Sequence, residues 1–117
     1  MDIYYKDERL KKLCNSKKLL TKKFGDDSAR AIITRQGQLK NAQNLFDFSC
    51  FVPGAKCHEL EHKSGKDRRG EFAVTVRKGN RIIFIPAHDP PLDENGRLIW
   101  KKITAIKIIS VEDYHDD

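Results

Sequence analysis

Residues 71–85, EFAVTVRKGNRIIFI, constrain the fold more than any other stretch of the chain. Phe72, Val74 and Val76 point one way in an extended chain while Ala73, Thr75 and Arg77 point the other, which is the pattern of a half-buried strand. A second run, Arg81 to Ile85, follows after Lys78-Gly79-Asn80, where Gly and Asn both tolerate the positive φ of a hairpin turn. Loop length decides the faces. A three-residue loop pairs Arg77 with Arg81 and keeps Ile82 and Phe84 on the side of Phe72, Val74 and Val76. A two-residue loop pairs Arg77 with Asn80 and throws Arg81 onto the apolar face, which is costly for a guanidinium. The sequence therefore predicts three loop residues and two arginines side by side, an arrangement that an anion such as phosphate would stabilise.

Around this hairpin the periodicity predicts an α+β domain. Asp2 to Tyr5 reads as a short strand, and from Asp7 the spacing of Leu10, Leu13 and Cys14 is helical. Ser16 is placed to cap a second helix holding Leu19, Leu20 and Phe24, with Gly25 as its stop. Asp26 or Asp27 opens a third, on which Ala29, Ile32, Ile33, Gln36 and Leu39 form an apolar face that Gly37 weakens without ending. Ala42 to Phe48 reads as a helical turn, Ser49 to Ala55 as a loop, and Cys57 to Leu60 as a strand. The charged segment 61–70 reads as a loop before the hairpin. The prolines of Pro86 to Gly96 exclude a central strand, so this is an excursion. Ile103 to Val111 is apolar on both sides, with Ile103, Ala105, Ile109 and Val111 one way and Ile106 and Ile108 the other, and belongs inside the sheet. Helices first and an antiparallel sheet afterwards predict helices on one face of the sheet and an open opposite face.

One domain spanning 1–117 is the simplest division of 117 residues. The net charge of +6 is uneven. Residues 1–56 carry twelve Lys/Arg against six acids, 57–81 seven against four, and 82–117 four against seven. Such a field attracts nucleic acid, acidic protein or anionic lipid without choosing among them. No secretory leader or membrane-length apolar run is visible, and a cytoplasmic location is expected. Cys14, Cys50 and Cys57 are odd in number and lack CxxC spacing, which argues against a disulfide framework or zinc ribbon.

His58, Arg77, Arg81, Asp113, Tyr114 and His115 are the residues that sheet pairing can gather for chemistry. Cleaving RNA without a metal requires a base for the 2′-OH, cations for the pentacoordinate phosphate and an acid for the departing 5′-oxygen. His and Tyr exchange protons, and Arg supplies forked donors matched to phosphate. Each has a plainer alternative: a structural histidine, arginines paired with Glu71 or Asp67, a core plug at Tyr114, a solvated acidic tail from Glu112 to Asp117. A metal site at Cys57, His58 and His62 is disfavoured because Cys57 and His58 point to opposite faces of a strand and no second ligand pair exists.

Taken together, LKNAQNLFDF (39–48), KCHELEHKSGKDRRGEFAVTVRKGNRIIF (56–84) and ITAIKIISVEDYH (103–115) resemble the RelE-type toxin superfamily, in its HigB or plasmid-killer branch. The resemblance implies a microbial-RNase-like fold and a metal-independent, cofactor-free endoribonuclease that cuts mRNA on the ribosome. It also implies neutralisation by a helix-turn-helix antitoxin of HigA type. Its motif positions fall on His58, Arg77, Arg81, Asp113, Tyr114 and His115. His58 or His115 would serve as base or acid, the arginines would hold the phosphate, and Tyr114 would orient it or stack on a base. Lys63, Lys66, Arg68 and Arg69 are the candidate RNA contacts, with the family lysine at Lys63 or Lys66. The loop after Leu60 and the excursion from Pro86 to Trp100 are longer than in compact members. A cousin acting by binding alone, as gyrase poisons do, and a noncatalytic RNA- or ribosome-binding module are the alternatives.

Overall fold

The computed structural model describes residues 1–60, 70–77 and 79–113. Lys63, Lys66, Arg68, Arg69, Tyr114 and His115, and residues 61–69 of the loop expected over 61–70, lie outside the described residues. The fold is α+β, and among the described residues four α-helices come ahead of most of the sheet. Strand β1 (Asp2–Tyr5) is followed by α1 (Glu8–Cys14), α2 (Lys17–Phe24), α3 (Asp26–Asn41) and α4 (Leu45–Phe51). Strands β2 (His58–Glu59), β3 (Phe72–Arg77), β4 (Asn80–Pro86) and β5 (Ala105–Asp113) complete it.

Local signals set the helix ends. The Asp7 carboxylate accepts from Leu10 N and caps α1, Ser16 Oγ accepts from Leu19 N and caps α2, and Gly25 stops α2 with φ 90°. On α3 the buried stripe is Ala29, Ile32, Gln36 and Leu39; Ile33, expected among them, is exposed. Gln36 tolerates burial because Tyr5 Oη donates to its Oε1 at 2.7 Å and its Nε2 donates to Cys14 O at 3.1 Å. Helix α4 runs past Phe48 to Phe51, and the strand expected over 57–60 shortens to two residues.

The strands lie in the order β1-β5-β4-β3-β2, so β5 is interior as expected. β2 to β5 pair antiparallel; β1 joins β5 in parallel, making the sheet mixed. Phe72, Val74, Val76, Ile82, Phe84, Ile106 and Ile108 form one apolar face that packs on Leu20, Ile32, Leu39, Leu45 and Phe48 of the helices. Phe72 and Phe84 stack with centroids 5.6 Å apart, and Trp100 meets Phe72 edge-on at 5.4 Å, tying the far end of the excursion to the core. Within the excursion Asp93 Oδ1 accepts from Asn95 N and Arg97 N, closing a turn at Gly96. The opposite face of the sheet, expected to be open, is not bare at its middle, where Ala73 is 1% and Ile83 0% exposed.

Two register expectations are overturned. The hairpin loop holds two residues, and Arg77 lies opposite Asn80, not Arg81. Arg81 escapes the apolar face because β3 carries a bulge between Thr75 and Arg77, which absorbs the offset and pairs Arg81 with Thr75. A second irregularity lies on β5: Ile83 pairs with Ser110 and Phe84 with Ile108, leaving Ile109 as the extra residue. Val111 thereby shares the core face with Ile106 and Ile108 rather than opposing them.

Phe84→Ala is expected to cost about 3–5 kcal/mol, and Ser16→Ala about 1 kcal/mol, in urea unfolding followed by circular dichroism.

Candidate active site

Register determines which polar groups can meet. His58 pairs with Ala73, Ala73 with Ile83, and Ile83 with Ser110, a row crossing the sheet on the face turned away from the helices. Two residues further along β4, the next row on that face is Thr75, Arg81 and Glu112. His58 and Arg81 are therefore two strands and two residues apart, roughly 12 Å between Cα atoms from standard strand spacings. A long guanidinium and an imidazole can reach one phosphodiester from those positions.

His58 is exposed, and its Nδ1 lies 2.8 Å from the Lys56 carbonyl oxygen. A carbonyl only accepts, so in the neutral ring the proton sits on Nδ1 and Nε2 keeps its lone pair. The backbone makes this contact through Lys56, whose φ 49°, ψ 48° is left-handed, a conformation costly for a residue with a Cβ. Lys56 closes the short turn Pro53–Ala55, with its N–H donating to Pro53 O at 3.1 Å. Nothing in the residue type at position 56 signals this role, and sequence reading missed it.

Arg81 is held by Glu112. Its Nε and Nη2 both lie 2.7 Å from Glu112 Oε1, a charge-assisted contact that orients the guanidinium plane. Glu112, read from sequence as part of a solvated tail, is thus built into the face that carries His58 and Arg81.

Arg77 does not join them. Its partner across the hairpin, Asn80, is 5% exposed and accepts from Ser28 Oγ of α3 at 2.7 Å. Arg77 itself points to the same helix, with Nη1 3.8 Å from Asp27 Oδ2. Asp113 pairs with Asn80 and receives its Nδ2 at 3.4 Å. The expected pair of arginines flanking one anion is corrected: Arg81 lies on the face with His58, whereas Arg77 points to α3 and Asp113 contacts Asn80. The bulge on β3 also recruits a residue of α3. Arg35 of α3 donates from Nη2 to Val76 O at 3.4 Å and from Nη1 to Gln38 Oε1 at 2.8 Å. Burial lowers its pKa from the ordinary arginine value.

Beside His58, burial pushes the Cys57 thiol up to about 12, and burial likewise raises Cys14 to about 11. Neither is a thiolate nucleophile near neutral pH. Among the described residues no three His, Cys, Asp or Glu side chains are grouped to hold a metal ion.

Comparison with protein-family models and with curated proteins returned no match to this chain.

Iodoacetamide at pH 8, read by peptide mass spectrometry, is expected to label exposed Cys50 first and Cys14 and Cys57 only on unfolding. Both folded thiol pKa values lie above the ordinary 9.0, so their contribution to stability is whole below about pH 9. It is lost as pH rises through 11 and 12, an alkaline loss that Cys14→Ser/Cys57→Ser reduces in pH-dependent unfolding.

Proposed function

We propose that this chain is the toxin of a toxin–antitoxin pair, a metal-independent endoribonuclease of the RelE/HigB kind that cuts mRNA on the ribosome. The observation that carries the reading is the imidazole of His58, with Nδ1 2.8 Å from a backbone carbonyl, on the same sheet face as Arg81. In the reaction His58 Nε2 takes the proton of a 2′-OH, and that oxygen attacks the adjacent phosphorus. The P–O5′ bond breaks as O5′ gains a proton, leaving a 2′,3′-cyclic phosphate and a 5′-OH. Arg81 spreads its positive charge over the phosphate oxygens, oriented by Glu112. His115 is proposed as the second proton-transfer group and Tyr114 as a stacking or orienting group. Lys63, Lys66, Arg68 and Arg69 are proposed contacts to mRNA and ribosomal RNA. The partner is a helix-turn-helix antitoxin, and the compartment is the cytoplasm.

A second reading, toxicity by binding without cleavage, draws support from the same geometry. Arg77 and Arg81 are each drawn to a carboxylate on a different element rather than to a shared anion site. Phosphate must then compete with Glu112 for Arg81.

Brief expression in a bacterium with mapping of mRNA 5′ ends separates the two. New ends within coding regions, lost about 10²–10⁴-fold in His58→Gln, are expected of the nuclease. Arg81→Ala is expected to lower cleavage at least as strongly as Arg77→Ala. Growth arrest with no new ends supports the binding reading, and equal cutting by wild type, His58→Gln and Arg81→Ala removes these residues from the site.

A further inference from the structure

Strand β1 runs beside β5 only from Ala105 to Ile108, and its last tie is Lys6 N donating to Ile108 O at 2.9 Å. There the chain turns away into α1, while β5 continues to Asp113 paired with β4 on its other side. Among the described residues no strand pairs with the outer edge of Ile109 to Val111. That edge borders a groove of about 700 Å³ between β5 and the α1–α2 hairpin. Its apolar lining comes from Leu10, Leu13, Leu19, Ile109 and Val111, and Leu19 is 44% exposed. Four cations rim it, Lys6, Arg9, Lys22 and Lys23, against one acid, Asp7, whose carboxylate already caps α1.

We infer that this groove receives an extended acidic segment of a partner protein, which takes up the strand position that β1 leaves at Lys6. An unpaired sheet edge offers main-chain donors and acceptors to an incoming strand. The leucines offer seats for alternate side chains, and the cations select a segment carrying Asp or Glu. Nucleic acid fits the groove poorly, because its lining is aliphatic and presents no aromatic ring on which a base could stack. The inference stands apart from the RNA-cleavage reading and would hold for a toxin that does not cut RNA.

The test is selection from a random dodecapeptide library on the immobilised full chain, counter-selected on Leu19→Asp. Enriched peptides are expected to be net acidic with apolar residues at every second position. Fluorescence anisotropy should then show binding at least 10-fold weaker to Lys22→Glu/Lys23→Glu, a variant that changes only exposed side chains. Amide shifts in the nitrogen-labelled protein should fall on Ile109 to Val111. Failure to enrich any peptide that discriminates wild type from Leu19→Asp overturns the inference. So do enrichment of helical three-and-four spacing, or displacement of the peptide by poly-uridine RNA, which assigns the groove to a helix or to nucleic acid.

Discussion

Keeping Phe72, Val74, Val76, Ile82, Phe84, Ile106 and Ile108 on one side of the sheet is the requirement from which the rest of the structure follows. This face packs on Leu20, Ile32, Leu39, Leu45 and Phe48, and each large apolar side chain so buried stabilises the fold by about 1.5–3 kcal/mol relative to exposure. A register slip of one residue would turn the whole set toward water. The two bulges are how the chain meets this demand. One on β3 reconciles a two-residue hairpin loop with an apolar Ile82, and one at Ile109 reconciles the isoleucines of early β5 with Val111.

The bulges also select the polar groups on the other face. Because strand parity changes at Ile109, Glu112 lies beside Arg81, and Asp113 turns toward Asn80. Because it changes again on β3, Arg77 follows Asn80 to that helix while Arg81 remains on the face with His58. An arginine paired with a glutamate is a different arrangement from two arginines side by side. Its charge is partly compensated by the Glu112 carboxylate. Arg35 belongs to the same arrangement, since it spends one donor on the carbonyl at the β3 bulge.

Strand lengths, too, divide the surface. β5 is nine residues long and β1 four, so part of the β5 edge is left beside the α1–α2 hairpin with a basic rim. On the proposed readings the basic excess would serve RNA on one surface and an acidic protein segment on another, and the aliphatic lining of this groove would distinguish them.

Much of this was legible in the residues. Asp7, Ser16 and Gly25 mark helix ends by hydrogen-bond chemistry confined to one turn, and the alternation of Phe72 to Val76 reports its buried face, since both signals are local. The interior place of β5 was legible for a similar reason, since its run of apolar residues on both sides is local too. Register was not: one extra residue at Val76 or Ile109 reverses every side chain beyond it, and its place emerges only when the strands pair with segments distant in the chain. The left-handed turn at Lys56, the Glu112 contact to Arg81 and the separation of Arg77 from Arg81 were settled by tertiary structure alone, because each depends on segments distant in the chain or on backbone strain that no residue type announces.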